Sequence, residues 1–253
     1  MKQTLRTLSR ILLPAGLRRF LTQAALDLFD EHAQTSYSQE GEDLLLRLLF
    51  AYRRQGFYVD VGAHHPQRFS NTWWFYRAGW RGINIDPLPG SMARFRKLRP
   101  RDINLEAPIA SRPGPCTYFI FDEPALNTFS ADVAEQRRRA GRHKLLARKT
   151  FQSRRLDDVL DQYLAPDTPL DFLSVDTEGL DLDVLQSNSW MRYRPKVVLA
   201  ETPDPGRREL ADTALDFFLK DCGYVFFAKT FHTVFYLERA FRDQRFRAGL
   251  ENI

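Results

Sequence analysis

Asp176 and Glu178 stand two residues apart, just past the apolar run Phe172-Leu173-Ser174-Val175. Alternate residues of an extended strand share a face, so this spacing aims both carboxylates into one cleft. Either acid suits a general base toward an acceptor hydroxyl. A second chemistry is open to the same residues, since together with Glu201 they offer hard oxygen ligands to a divalent metal. A third reading is a structural acid network. His64 and His65 add two side chains that titrate near neutrality. His64 is a candidate base, although paired histidines on a loop also serve purely structural ends.

A ligand for this cleft is suggested upstream. Phe57-Tyr58-Val59-Asp60-Val61 reads as a buried strand that ends in the small-residue turn Gly62-Ala63, where a backbone can approach a ligand closely. Asp60 lies inside that strand, which is costly unless its carboxylate has partners. The next strand, Arg81-Gly82-Ile83-Asn84-Ile85, ends on Asp86. A small-residue turn followed by an acid at the end of the next strand is how nucleotide-binding folds hold a ribose. Asp86 can also cap a helix, because Pro87 follows it in a first-turn position. The chain lacks both G-x-G-x-x-G and a P-loop, the two glycine patterns that cradle phosphates. The site therefore suits adenosine without phosphates, and S-adenosyl-L-methionine is the common ligand of that kind. Ile109, in the next segment to reach this end of the sheet, is expected to press on the adenine.

Five pieces of the chain carry a resemblance. They are Tyr37-Ser38-Gln39-Glu40-Gly41-Glu42-Asp43, Val59-Asp60-Val61-Gly62-Ala63-His64, Gly79-Trp80-Arg81-Gly82-Ile83-Asn84-Ile85-Asp86, Arg155-Leu156-Asp157-Asp158 and Phe172 to Gly179. In this order, from about Tyr37 to Leu237, the chain resembles the FkbM family of S-adenosylmethionine-dependent methyltransferases. The resemblance implies a Rossmann-like class I methyltransferase fold of the α/β class, with a mainly parallel sheet, an antiparallel C-terminal hairpin strand and helices on both faces. It also implies O-methylation of a sugar, glycan or natural-product hydroxyl. Gly62, Ala63, Asp60, Asp86, Ile109 and Asp176 are its expected cofactor contacts. Gln39, Glu40 and Asp43 are expected to reach the amino and carboxylate ends of the cofactor, or else to start a helix behind Ser38. Two other classes remain open. One is a cofactor-fold binding module without turnover, the other a membrane-associated scaffold.

The elements that must position these residues alternate along the chain. Strands are expected near 57–61, 81–86, 103–109, 116–121, 171–176, 196–201, 223–229 and 232–237. Helices are expected near 39–52, 71–78, 88–98, 131–147, 156–164, 180–187 and 208–221. Such alternation builds a mainly parallel sheet covered on both faces. The methyltransferase domain is assigned to residues 35–253. Residues 131–149, with Gln136-Arg137-Arg138-Arg139 and Arg142-His143-Lys144, read as a basic helical insert, either a solvated face or a cap for an acidic acceptor. Residues 1–34 read as a helical arm with Lys2, Arg6 and Arg10 among Leu5, Leu8, Ile11 and Leu12. The arm suits an anionic membrane surface, or packing on the core or on a second subunit of a homo-oligomer.

At 253 residues with a formal net charge of +5, the chain fits one large basic domain. No zinc-finger or RRM pattern occurs, so nucleic acid is not an expected partner. Cys116 and Cys222 stand far apart, which fits a reduced, cytoplasmic setting. No cleavable signal peptide and no transmembrane run is read from the sequence. Of the 20 Phe residues, some are expected to line the ligand cleft and most to pack the core.

Overall fold

Strand β1 (Phe57–Val61) sorts its residues between two apolar layers, because successive side chains alternate across the sheet. Val59 and Val61 face one layer and Tyr58 the other. The same division runs through β6 (Phe172–Val175) and β7 (Val197–Glu201), whereas β2 (Arg81–Ile85) gives Ile83 and Ile85 to the first layer alone. The structure is a computed structural model that describes residues 14, 16–17, 33–202 and 213–247. The chain divides after Thr35. The expected arm helices lie almost wholly outside the described residues, as does the start of the helix expected from residue 208.

With β3 (Ile103–Leu105), β8 (Tyr224–Lys229) and β9 (Thr233–Glu238), these strands form a seven-stranded sheet of order β3-β2-β1-β6-β7-β9-β8. The first five pair in parallel, whereas β9 runs antiparallel to both β7 and β8. The expected parallel sheet with a C-terminal hairpin is thus present. Strand order reverses beside β1, which has β2 on one side and β6 on the other. Open α/β sheets bind ligands beyond the strand ends at such a switch point.

Helices cover both faces. Leu46 and Leu49 of α1 (Glu42–Leu49) and Phe75 of α2 (Trp73–Ala78) pack with Tyr58, Phe172, Leu199 and Phe235. Helix α3 (Met92–Leu98) follows β2, and its Met92 and Phe95 bury Ala63. On the other face, α5 (Leu156–Tyr163), α6 (Asp181–Gln186) and α7 (Ala214–Asp221) bury Leu160, Val184, Leu185 and Leu219 against the valines and isoleucines of the sheet. A last helix, α8 (Arg239–Arg247), was not expected from the sequence. None of its residues is fully buried, and it carries four arginines, so it lacks the apolar stripe that marks a core helix.

The insert is the main correction. The expected basic helix ends at Ala140, seven residues short of the expected 147, because Gly141 takes a left-handed φ of 68°. Helix α4 (Ala131–Ala140) is then followed by a strand, β5 (Leu145–Ser153). Strand β5 pairs antiparallel with β4 (Gly114–Phe121) in a separate two-stranded sheet. This pairing with Cys116, Thr117 and Tyr118 draws Lys149, Thr150 and Phe151 into an extended conformation. Strand β3 is also shorter than expected, since the chain leaves the sheet after Leu105 and runs past the site as a loop.

Candidate active site

A pocket of about 860 Å³, counting the space open at its mouth, sits at the carboxyl ends of β1, β2 and β6. Its wall includes Gln39, Gly62, His64, Asp86, Ile109, Asp176 and Glu178, so seven of the expected residues meet in one place.

Gly62 holds the centre for a structural reason. Its φ is 85°, and a Cβ there would lie 1.7 Å from the carbonyl oxygen of Asp176. The turn is stitched to both neighbours: Gly62 N donates to Ile85 O at 2.9 Å, and Asp176 N donates to Val61 O at 2.9 Å. The glycine is thus required by the close approach of the β1 and β6 ends, before any ligand is considered. Ala63 is buried against Met92 and Phe95 and does not form the wall.

Asp86 is almost fully buried. Its Oδ2 accepts from the backbone N–H of His64 (3.2 Å) and its Oδ1 from that of Leu88 (2.9 Å). Burial raises its carboxyl above the ordinary value, against the pull of these hydrogen bonds. A carboxylate has about four acceptor sites, so the Asp86 oxygens retain capacity toward the pocket. His64 has a left-handed φ of 48°, which turns its backbone N–H to Asp86. His65 is structural, for its Nδ1 accepts from Gln67 N and Arg68 N.

Asp176 is exposed on the pocket wall, yet it lies deep among protein atoms. This burial raises its carboxyl well above the ordinary range, and the nearby acids Glu201, Asp181, Glu178 and Asp60 raise it further. Glu201, at the end of β7, is pushed up to about 8 by burial and by Glu178 and Asp181. Asp181 ties the two strand ends together. Its Oδ1 accepts from Glu201 N (3.0 Å) and its Oδ2 from Thr177 Oγ1 (3.2 Å), while burial lifts it to about 6. Like charges this close do not all ionise at neutral pH.

Glu178 differs from Asp176. It has a left-handed φ of 54°, and its Oε2 is ion-paired with Arg137 Nη2 of α4. Arg137 also donates to Leu126 O at 2.5 Å, and Thr128 Oγ1 donates to Glu178 O at 3.0 Å. The insert is therefore fastened to the end of β6. The segment just before it, β4 and the loop that leads to α4, supplies Tyr118, Asn127, Thr128 and Phe129 to the pocket wall, with the ring centroids of Tyr118 and Phe129 4.4 Å apart. Sequence reasoning missed these residues. Asn127 to Phe129 lie in a loop without a motif, and the only signal was the run Tyr118-Phe119-Ile120-Phe121, which reads as a strand.

Besides Ala63, three expected cofactor contacts lie off the wall. Asp43 is fully buried and accepts from Ser38 Oγ (2.9 Å), Tyr37 N (3.1 Å) and Arg47, so it organises the start of α1. Glu40 binds His232 through its backbone N–H (2.9 Å) and its ring. Asp60 sits beneath the pocket and accepts from Thr72 Oγ1 at 2.9 Å. Thr72 in turn accepts from the fully buried Arg99 (3.0 Å), which also meets Tyr58 OH (2.7 Å) and Asp102 (2.8 Å). The partners that an acid inside a strand requires are this network.

Among the described residues, no group of three or more His, Cys, Asp or Glu is placed to hold a metal ion. The alternative of a metal on Asp176, Glu178 and Glu201 thus lacks the converging donors it needs. Cys116 and Cys222 are free thiols. Among the described residues, no helix is long and apolar enough to cross a membrane.

A sheet of this order, closed by an antiparallel strand and carrying an acid at the end of β2 beside a glycine turn, defines a Rossmann-like methyltransferase. The chain belongs to the methyltransferase FkbM domain family, which matches residues 60–226. It uses S-adenosylmethionine. No curated protein matches the chain. Among solved structures it is similar to a methyltransferase from Geobacter sulfurreducens, at 15% identity over 94% of this chain and 97% of that one, with a TM-score of 0.41. It is also similar to an O-methyltransferase from Bacillus cereus in complex with SAH, at 11% identity over 92% and 96% of the two chains, with a TM-score of 0.38.

Proposed function

We propose that the chain methylates a hydroxyl of a neutral, polar acceptor such as a sugar, with Asp176 as the group that receives the hydroxyl proton. The observation that carries this reading is the state of Asp176. Its carboxylate faces the pocket, takes no hydrogen bond from the described residues, and is raised well above the ordinary carboxylate range by burial and by neighbouring acids, which makes it a stronger base than a free carboxylate. A base works best when its pKa lies near the operating pH. Glu178, the other candidate, is engaged by Arg137 and positions the insert instead.

The residues present fit the cofactor. Asp86 has free acceptor capacity for the two ribose hydroxyls, and Pro87, Pro108 and Ile109 offer an apolar wall to the adenine. Gln39 stands on the same wall and is the one member of the Gln39, Glu40 and Asp43 set left for the cofactor's polar end. When bound, S-adenosylmethionine supplies a methyl group on a cationic sulfur. The acids of the wall complement that charge.

The acceptor class follows from the rest of the lining. Among the described residues, the wall carries Asp86, Asp176 and Glu178 but no Lys or Arg. An anionic acceptor would meet Asp86 and Asp176 there, while the guanidinium of Arg137 is taken up by Glu178, so a neutral acceptor fits this wall better. Phe69, Phe129 and Tyr118 offer flat apolar faces of the kind that pack on a sugar ring. Ring burial also excludes water, so that holding the hydroxyl in place supplies much of the rate.

The test is release of S-adenosylhomocysteine over a panel of neutral sugars, glycolipids, natural-product alcohols, amines and carboxylic acids. A product one methyl heavier is expected from a hydroxyl acceptor. Turnover confined to amines or carboxylic acids would remove the reading.

A further inference from the structure

The insert carries far more positive charge than its one inward contact uses. Residues 131–149 contain Arg137, Arg138, Arg139, Arg142, Lys144, Arg148 and Lys149 against Asp132 and Glu135. Seven cations less two acids leave +5, which equals the formal net charge of the whole chain. Arg137 turns in to Glu178. The other six are exposed. Glu135 pairs with Arg138 and Arg139, and Asp122 with His143. Exposed pairs of this kind are weak and leave the local field positive.

Arg139 at the end of α4 and Arg142 and Lys144 in the turn before β5 are followed in the sequence by the exposed Leu146. The β4–β5 register passes from Ile120↔Ala147 to Phe121↔Leu145, so Leu146 is the extra residue of a bulge. It is 63% exposed, although Phe121 opposite is buried. A bulge that pushes a leucine out beside three cations is a poor solution for a face that meets only water. It is a good one for an interface whose outer layer is anionic and whose interior is apolar. Nucleic acid is a weaker fit, because single strands are held by exposed rings. Here Tyr118 and Phe121 are buried, and Phe119 lies half-buried beneath Arg148.

We infer that the Arg139–Leu146 turn docks on an anionic lipid bilayer and so presents the pocket to an acceptor carried by that membrane. The excursion that carries this turn, from β4 through α4 to β5, also forms one wall of the pocket through Tyr118 and Asn127 to Phe129, so docking brings that wall to the membrane. The inference deepens the hydroxyl-methylation reading and rests on it for the acceptor alone.

The experiment is flotation of the full chain with phosphatidylcholine vesicles, with and without phosphatidylglycerol, at low and high salt. Binding is expected only to the anionic vesicles and is expected to weaken with salt. Replacing Arg139, Arg142 and Lys144 together by Gln should weaken it on the order of 10²-fold, from the worth of a cation near an anionic leaflet. Leu146→Ser should weaken it on the order of tenfold, from the loss of one buried leucine. Neither variant should change cofactor affinity by calorimetry. Three results would overturn the inference: no flotation of the wild type, flotation unchanged in both variants, or flotation that RNA competes away and Leu146→Ser leaves intact. Because flotation needs no turnover, an inactive protein that still floats counts against the methylation reading and not against this one.

Discussion

Asp86→Asn is the sharpest perturbation available at this site, because it keeps the shape and removes the charge. The wild-type carboxylate takes one backbone N–H on each oxygen, at 3.2 and 2.9 Å, and has two acceptor sites left for the ribose. The amide keeps one acceptor oxygen and sets an N–H₂ against either His64 N or Leu88 N. Loss of charge-assisted hydrogen bonds costs about 1.5–3 kcal/mol, which corresponds to a Kd raised roughly ten- to 150-fold. The pH dependence supplies an independent check. Burial raises the Asp86 carboxyl above its ordinary value, and the ionised form is the one that accepts both hydroxyls. Wild-type affinity for S-adenosylhomocysteine should therefore fall as pH drops through this raised pKa, and the Asn variant should lack that limb. The assay is titration calorimetry across acidic to neutral pH, with thermal melting of the ligand-free variant as a control for the unpaired N–H. A variant that melts like the wild type, binds like the wild type and keeps the acidic limb would show that Asp86 does not hold the ribose.

Asp176→Asn should lower kcat by about 10² to 10⁴ while changing cofactor affinity little. It should also remove the raised carboxyl of Asp176 itself from the protons that the folded state binds. The linkage has a definite sign. Glu201 and Asp181 are raised on folding, so the native state binds more protons between their unfolded values and about 8 and 6 respectively. Wild-type stability therefore falls as pH rises through this window, and denaturant melts should show Asp176→Asn losing less. Gly62→Ala should destabilise the fold by about 2–4 kcal/mol, from positive φ and overpacking on the Asp176 carbonyl. Urea melts of ligand-free protein check this, and a stable variant would refute it. Arg137→Gln and Glu178→Gln should couple by about 1–3 kcal/mol in a double-mutant cycle on stability, because the pair is only 20% and 24% exposed. Additive losses would mean that the pair does not hold the insert.

The strands that build the site were legible because their signals are local. Tyr58 to Val61 and Phe172 to Val175 are short apolar runs, and each ends in a residue with a reason to be there. Gly62, Asp86 and Asp176 were found from such endings. What the sequence hid depends on tertiary pairing. Arg137 and Glu178 are 41 residues apart, and neither has a local feature to say that they meet. Without that pair, Glu178 reads as the twin of Asp176. Asp43 and Glu40 sit in a segment with the right residue types, but Arg47 and His232 engage them. The helix expected at 131–147 overran the start of β5 by three residues, and the rest of the strand at 145–153 carried no expectation. Its extended form comes from β4, far upstream.

The base of the insert has a consequence for how such an enzyme changes over time. Where the excursion leaves and rejoins the fold, its two ends are clipped together: Ile109 bridges Arg154, Ala110 N donates to Arg154 O at 2.9 Å, and Arg154 N donates to Pro108 O at 3.0 Å. Between these ends the excursion touches the rest of the fold at a few side-chain contacts, among them Arg137 and Thr128 with Glu178 and Ser111 with Asp183. Lengthening or shortening a closed loop is cheap, about 0.6 kcal/mol for each doubling. The pocket wall formed by Tyr118 and Asn127 to Phe129 thus rides on an excursion whose length can vary, whereas the glycine turn and Asp86 belong to the sheet. Exchanging residues 111–153 between relatives would swap acceptor choice without disturbing the grip on the methyl donor.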